Sequence, residues 1–394
     1  MIYADNAATT KLSPVALAAM TPYFTEDYGN PSSLYNLATH SKAALDRARA
    51  DVALCLNAQP EEIFFTSGGT ESDNWALRGV AEALNKKGKH ILISAVEHHA
   101  ILHTAQWMRK QGFDVEELSV DEFGTVQPEV LKDALRPDTI LVSIMMANNE
   151  IGTIEPVKEL AAIAHENGTL FHTDAVQAAG HIPVDVNDLG VDLLSLSGHK
   201  FHGPRGVGVL YIKSRTPILP LIHGGGQERN RRSGTENVAG AVGLAAALKE
   251  RCAVLEEEIP RISMLRDKLI QEVLKFPRTR LTGDPVNRLP SIASFTFEAI
   301  EGESILLKLD ARGICVSSGS ACSSASLEPS HVLLAIGLPH EIAHGSVRIS
   351  LGSDVTEDDV DTIILALKEV VDHLRAMSPV WDELQKGVRS YVIQ

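Results

Sequence analysis

The chain predicts an α/β fold: a large domain on a mainly parallel seven-stranded sheet in a three-layer α/β/α arrangement, followed by a smaller α/β C-terminal domain. Three observations carry this. At 394 residues the chain exceeds what one compact core usually holds. From about residue 61 onward, short apolar runs alternate with segments of helical period, the pattern of βαβ units. After a long Ala/Leu/Glu-rich helical stretch at 235–258 the composition changes to a shorter mixed pattern. The seven strands are expected at 63–66, 91–95, 115–119, 140–146, 170–174, 193–197 and 207–212. Helices are expected between them at 71–84, 100–111, 129–135 and 156–167, the last closed by Gly168. In the second part, 291–297 and 346–350 alternate like strands, and 301–311 and 357–375 repeat like helices. A boundary near Glu257 assigns residues 16–257 to the large domain, and 1–15 with 258–394 to the small one.

Lys and Arg number 36 against 51 Asp and Glu, a net charge of -15 that repels nucleic-acid phosphates and anionic lipid. No apolar stretch reaches the ~18 to 20 residues of a spanning helix, and the first ten residues lack a basic segment followed by an apolar one. A cytoplasmic protein that binds neither nucleic acid nor membrane is expected. The four cysteines, Cys55, Cys252, Cys315 and Cys322, form no disulfide framework and no C-x-x-C pair. Cys55 and Cys252 fall in helical patterns and read as packing residues, and Cys315 reads as core.

Ligands of open parallel sheets bind beyond the carboxyl ends of the strands, so the residues after each strand carry the functional weight. Ser67-Gly68-Gly69-Thr70 follows a strand and opens a helix, where free N–H groups and the helix dipole suit a phosphate. A glycine turn with a threonine cap needs no ligand, and no Walker lysine follows. Leu193-Leu194-Ser195-Leu196-Ser197-Gly198-His199-Lys200 delivers a lysine into the same region. A partly desolvated amine there is nucleophilic toward carbonyls, as a Schiff-base lysine requires; otherwise the lysine simply reaches from a strand end to solvent.

Phe171-His172-Thr173-Asp174 ends in a carboxylate. It suits the protonated ring nitrogen of pyridoxal phosphate, or else caps the next helix. Glu97-His98-His99 offers an imidazole for stacking and proton transfer. His99 and His103, four residues apart, are a workable metal pair, but no H-E-x-x-H or carboxylate-bearing set surrounds them, and an exposed helical pair is expected. Asn148-Asn149-Glu150 offers a side-chain amide or is an ordinary loop.

Cys322 sits in the small, polar stretch Ser317-Ser318-Gly319-Ser320-Ala321-Cys322-Ser323-Ser324-Ala325-Ser326. Free cysteines usually prefer burial, so one presented there invites a nucleophilic reading, against an unreactive loop thiol. Arg348, inside the apolar run Val347-Arg348-Ile349-Ser350, is a planar donor fork suited to a carboxylate, or else an arginine on an edge strand.

Together these segments resemble the pyridoxal-phosphate-dependent cysteine desulfurases of the NifS/IscS group, within the class V aminotransferase-like enzymes of fold type I. The likeness runs nearly end to end. It rests on Asp5-Asn6-Ala7-Ala8-Thr9-Thr10, Gly29-Asn30-Pro31-Ser32-Ser33, residues 66–74, 148–152, 172–177 and 195–200, Arg232-Ser233-Gly234-Thr235, and residues 317–331. The resemblance implies that the large domain binds pyridoxal 5'-phosphate, with Lys200 joined to its aldehyde. Asp174 would face the pyridinium nitrogen, Gln177 the ring hydroxyl and His98 the ring face, where it also acts as acid and base. Gly69, Thr70, Ser197 and His199 would surround the phosphate, and Thr235 would reach the phosphate of a second copy in a homodimer. Asn149 would touch cofactor or substrate, and Arg348 would clamp the carboxylate of L-cysteine. Cys322 would take the sulfur as a persulfide, leaving L-alanine, and pass it to an acceptor or iron–sulfur scaffold protein. No resident metal is implied, only a transient iron–sulfur contact through that persulfide. A selenocysteine lyase on the same scaffold shares every cofactor step, but the long Cys322 segment favours the desulfurase. A plain aminotransferase would keep the same cofactor residues, whereas intact Lys200, Asp174 and Cys322 argue against an inactive sulfur-relay subunit.

Overall fold

The computed structural model describes residues 1–318 and 329–393. Cys322 therefore lies outside the described residues. Seven strands form one sheet: β2 (Ile63–Thr66), β3 (His90–Ser94), β4 (Asp114–Leu118), β5 (Thr139–Ser143), β6 (Leu170–Asp174), β7 (Leu193–Ser197) and β8 (Gly208–Ile212), β1 being the short Ile2–Tyr3. Their order across the sheet is β2-β8-β7-β6-β5-β3-β4. From β7 to β4 every pairing is parallel, and only β8 runs against its neighbours β7 and β2. The reversal follows from the short link after Ser197. It holds one turn of 3-10 helix, Gly198–Lys200, too little for the crossover a parallel partner needs, so the chain doubles back.

Adjacent residues of each strand serve opposite faces of the sheet. Phe65, Leu92, Leu194 and Tyr211 enter one core; Phe64, Ile91, Leu193 and Leu210 enter the other. The first face is covered by helices Asn36–Leu56, Val157–Glu166 and the start of Val238–Val273, the second by Gly69–Leu84 and His99–Lys110. The expected three layers are thus present. Gly168 closes the helix before β6 with φ 72°, a left-handed turn that a side chain would strain.

A second core surrounds a three-stranded antiparallel sheet of β9 (Thr279–Leu281), β10 (Ile292–Phe297) and β12 (Ser346–Ser350). Its helices are Gly302–Asp310 and Glu357–Ala376. The two-residue strand β11 (Ile314–Cys315) pairs in parallel with β1, so the amino terminus is built into this region. The helix expected to end at residue 258 instead continues to Val273, passing through Pro260. Pro260 and Glu256 are both exposed, so water can serve the carbonyl that the proline leaves unpaired. The helix places Leu244, Ala247 and Leu248 in the first core, and Ile262, Leu265 and Leu269 in the second. One helix is thus shared between two cores, and we propose 16–257, and 1–15 with 258–394, as the domains. No helix among the described residues is long and apolar enough to cross a membrane.

Candidate active site

The carboxyl ends of β2, β6 and β7 converge on a cavity of about 310 Å³. Its wall contains Gly69, Thr70, His98, Asn149, Asp174, Gln177, Ser197, His199, Lys200 and Arg348, ten of the residues singled out in the sequence. Thr235 is exposed and lies outside this wall.

Gly69 and Thr70 begin a helix whose amino end has no side-chain cap, so its first N–H groups and the positive end of its dipole are left to a ligand. A Cβ on Gly69 would come 2.7 Å from Val176 Cγ2, so only glycine lets this turn pack against the segment after Asp174. Ser197 is buried and half-buried His199 faces Thr9, with Nδ1 3.1 Å from the threonine hydroxyl. Burial, helped by Lys200 and Arg205, pulls His199 down to about 4 and keeps it neutral. These donors at the mouth of a helix suit a phosphate group.

Lys200 follows a strand whose five residues are all buried. Its Nζ donates to the carbonyls of Ala7 at 2.6 Å and Ala8 at 2.9 Å. The Ala7 carbonyl also accepts from Gln177 Nε2 at 2.8 Å. The segment carrying these carbonyls is tied down in turn: Ala7 N–H donates to Ser350 Oγ at 2.9 Å and Tyr3 Oη donates to the Thr9 carbonyl at 2.7 Å. Sequence reasoning marked Asp5 to Thr10 as a motif without seeing this duty, because backbone carbonyls leave no residue-type signal.

Asp174 ends β6, accepts from Val176 N–H at 2.8 Å, and is raised by burial, while the same N–H and the Lys200 charge pull it back. Behind it stands Asp73, 1% exposed and also on the cavity wall. Burial and the neighbouring Asp174 raise Asp73 well above the ordinary carboxyl range, so the two carboxyls resist being charged together. Asp73 Oδ1 lies 3.8 Å from His172 Nε2. The contact is not an ion pair, because burial holds His172 neutral, down to about 3, and its nitrogens meet the hydroxyls of Ser143 and Ser195. Asp73 lies within the 66–74 motif, but an acid five residues into a helix looks like an exposed position in the sequence.

His98 caps the helix His99–Lys110 by accepting Ala100 N–H on Nδ1 at 3.1 Å, so the neutral ring carries its proton on Nε2. Burial and the Lys200 charge lower it to about 4. Its neighbours His99 and His103 stack with ring centroids 5.0 Å apart, and His331 packs on His99 at 4.9 Å. Below them Glu97 accepts from Ser94 Oγ at 2.6 Å and Met145 N–H at 2.8 Å, and burial raises it to about 8. Glu150, buried and raised to about 7, accepts from Ser330 Oγ.

Arg348, 3% exposed, donates through Nη2 to Asp5 Oδ1 at 2.9 Å and through Nη1 to the Asn149 carbonyl at 2.8 Å. Its Nε has no hydrogen-bond partner among the described residues, so a donor remains on a buried guanidinium at the cavity wall. The guanidinium as a whole lines the cavity, where a planar donor fork suits a carboxylate. Asp5 and the carbonyl fix the plane of the fork. Arg348→Lys is expected to raise KM for a carboxylate substrate by about 10- to 100-fold with a smaller change in kcat. Asp5→Ala is expected to move KM in the same direction, and steady-state kinetics with each variant checks both.

Histidines and acids in these cores oppose each other with pH. His98, His172, His181 and His199 are depressed by burial to about 4, about 3, about 4 and about 4. The stability they contribute is complete above about pH 6.5 and is lost as pH falls through those values. Glu97, Glu150 and Glu155 are raised by burial to about 8, about 7 and about 8. Their contribution is complete below about pH 4.5 and is lost as pH rises through 7 to 8. The cofactor-free protein should therefore be most stable near about pH 6, with Tm falling on both sides. A thermal midpoint that rises steadily from pH 6 to 8 would contradict these assignments.

A strand-end lysine, a buried aspartate, a neutral imidazole and an uncapped helix start, gathered at the carboxyl edge of a mainly parallel sheet, define the site class of the pyridoxal-phosphate enzymes. The match to the aminotransferase class-V family spans residues 2–363, and the chain belongs to that family. Relatives named as cysteine desulfurases match it almost end to end. The cysteine desulfurase IscS of Methanosarcina thermophila is 56% identical over 379 residues, covering 96% of this chain and 94% of the relative. A solved NifS-like protein superposes with a TM-score of 0.90 at 40% identity, covering 95% of this chain and all of its own. SspA, solved in complex with cysteine, superposes with a TM-score of 0.79 at 35% identity, over 89% of this chain and 99% of its own.

Proposed function

We propose that this protein is a cytoplasmic, homodimeric cysteine desulfurase that uses pyridoxal 5'-phosphate to move sulfur from L-cysteine to Cys322, releasing L-alanine, and then to an acceptor or iron–sulfur scaffold protein. The single observation that carries this is Lys200 Nζ held on the Ala7 and Ala8 carbonyls within one cavity that also exposes Asp174 and His98. Family membership and the cysteine bound to SspA support the choice of substrate.

The residues present fit the cofactor. Gly69, Thr70, Ser197 and His199 would hold its phosphate, Asp174 its ring nitrogen, Gln177 its ring oxygen, His98 its face and Lys200 its aldehyde. When bound, it supplies an electron sink for bonds breaking at the substrate α-carbon. The chain's own residues do the rest. Asp174 would accept a hydrogen bond from the protonated ring nitrogen, with Asp73, raised by burial and by Asp174, on the same cavity wall. Arg348 would orient the substrate carboxylate from the cavity wall, and Asn149, whose carbonyl accepts from Arg348, lies beside it. His98, neutral at pH 7 with its hydrogen on Nε2, offers a hydrogen-bond donor on the cavity wall. Cys322 attacks the substrate sulfur as thiolate: a sulfur–sulfur bond forms as the carbon–sulfur bond breaks. The balance is L-cysteine plus enzyme thiol giving L-alanine plus enzyme persulfide. Thr235, exposed and outside this chain's cavity, would serve a second copy's phosphate in the proposed homodimer.

The test is alanine release from L-cysteine by the loaded protein, with amino-group transfer to keto acids and alanine release from L-selenocysteine run beside it. Alanine with stoichiometric protein-bound sulfane sulfur is the expected result. Transfer to keto acids without sulfur release would identify an aminotransferase, and activity confined to selenocysteine would identify a lyase.

A further inference from the structure

The chain leaves for Cys322 at Ser317 and is back at Ser330, and both points are fastened beside Arg348. On the outgoing side the Ser317 N–H donates to the Arg348 carbonyl at 3.2 Å, and the Arg348 N–H donates to the Ser317 carbonyl at 2.6 Å. On the returning side the Ser330 hydroxyl donates to Glu150 Oε2. The same hydroxyl oxygen accepts the N–H groups of Val332 at 3.1 Å and Leu333 at 3.3 Å, capping helix His331–Ala335. With its lone pairs turned on the helix, the one hydrogen it has left goes to the acid. Ser330 and Glu150 are 4% and 6% exposed, so water is a poor replacement for either partner. Glu150 is itself held: its N–H and that of Ile151 donate to Asn148 Oδ1 at 2.8 and 3.0 Å, and Asn148 Nδ2 donates to the Val96 carbonyl at 2.9 Å. The preceding residue, Asn149, gives its carbonyl to Arg348 Nη1. Two consecutive residues thus hold the arginine of the cavity wall and the point where the chain returns from Cys322, although Glu150 is outside that wall. Cys322 is five residues from Ser317 and eight from Ser330, and chain at most about 3.6 Å per residue long bounds where its sulfur can reach from those points.

We propose that Glu150, acting through Ser330, is a positioning residue for sulfur transfer: it fixes the point from which Cys322 reaches a substrate whose carboxylate is held on Arg348. The inference rests on the desulfurase function proposed above and deepens it. In the step concerned, the Cys322 thiolate bonds to the substrate sulfur as the carbon–sulfur bond breaks. The electron pair of that bond stays with the alanine fragment, which takes up the proton the Cys322 thiol gave up. Binding of L-cysteine draws on other contacts. Asp5 and the Asn149 carbonyl still hold Arg348, and the Ala7 and Ala8 carbonyls still hold Lys200, when the tie between Ser330 and Glu150 is cut. Loss of the tie therefore slows the attack on sulfur and spares binding, since a misplacement of about 1 Å costs a reacting pair up to about 100-fold.

The experiment mixes the full-length, cofactor-loaded chain with L-cysteine in a single turnover, beside Glu150→Ala, Glu150→Gln, Ser330→Ala and the double alanine variant. The absorption change of the cofactor reads binding, and mass analysis of quenched samples reads persulfide on Cys322. Glu150→Ala and Ser330→Ala should form persulfide about 10-fold or more slowly than the parent, with the absorption change and its dependence on L-cysteine within about twofold. Glu150→Gln, which keeps an acceptor oxygen for the serine, should stay within about threefold of the parent. Ser330→Ala loses the helix cap and Glu150→Ala keeps it, so similar deficits in the two, with no further loss in the double variant, mark the tie as the cause. Should Glu150→Ala fail to fold, Ser330→Ala and Glu150→Gln carry the same test. Persulfide formation at the parental rate in the alanine variants would overturn the inference, and so would a loss shared equally by the absorption change, the mark of a generally loosened site. A parent that binds L-cysteine but forms no persulfide would overturn the desulfurase reading and this inference with it. A parent that forms persulfide, matched by its variants, overturns this inference alone.

Discussion

Lys200→Ala is expected to leave a folded protein that no longer binds pyridoxal phosphate covalently and releases alanine from L-cysteine slower by at least on the order of 10⁴-fold. Among the described residues, the amine is the only nitrogen on the cavity wall held by two backbone carbonyls, those of Ala7 and Ala8, and no neighbouring group can replace it. Ser197 and the uncapped helix at Gly69 do not depend on the lysine, so the variant should still take up the cofactor's phosphate end reversibly. Borohydride reduction followed by peptide mapping reads the covalent link in the parent protein and its loss in the variant. If borohydride fixes no cofactor mass at position 200 in the parent, the proposed function fails at its root.

Cys322→Ser is expected to abolish protein-bound sulfane sulfur and to slow alanine release from L-cysteine by on the order of 10²- to 10³-fold, with the cofactor still bound. Serine offers an oxygen of much higher pKa and poorer affinity for sulfur, so the step that breaks the carbon–sulfur bond loses its acceptor. The absorption spectrum should still respond to L-cysteine, because Arg348, Asn149 and Lys200 are untouched. Unchanged alanine release in this variant would refute a persulfide route. The two variants separate the chemistry: one removes the cofactor link, the other only the sulfur acceptor.

Much of the site was legible because strands end in chemistry. Asp174, Ser197 and Lys200 sit at or just beyond the carboxyl ends of two apolar runs, and three of the seven strands, Ile63–Thr66, Leu170–Asp174 and Leu193–Ser197, have the ends expected from the sequence. Where reading failed, the cause was physical. The strands Ile2–Tyr3, Thr279–Leu281 and Ile314–Cys315 are two or three residues long, too short to show a period. The sequence shows a helical pattern around Cys55 but not the bounds of helix Asn36–Leu56, which precedes the regular βα alternation and whose buried face mixes alanines, a serine and an arginine with Leu45, Val52 and Leu56. Asp73 and the Ala7 and Ala8 carbonyls act through position alone, one as a buried acid behind Asp174 and the others as backbone acceptors. The end of Val238–Val273 was missed because a proline normally stops a helix, whereas here its exposed side faces water.

The anchoring of Ala7 on Ser350 has a consequence for biosynthesis. Residues 1–10 leave the ribosome long before residue 350, yet the carbonyls that steady the lysine's amine are held by a hydroxyl made some hundreds of residues later. While the nascent chain is growing, its lysine emerges without its cradle. The lysine's surroundings are therefore completed only once residue 350 has been made, and a chain stopped short of it would lack the anchor for the Ala7 carbonyl.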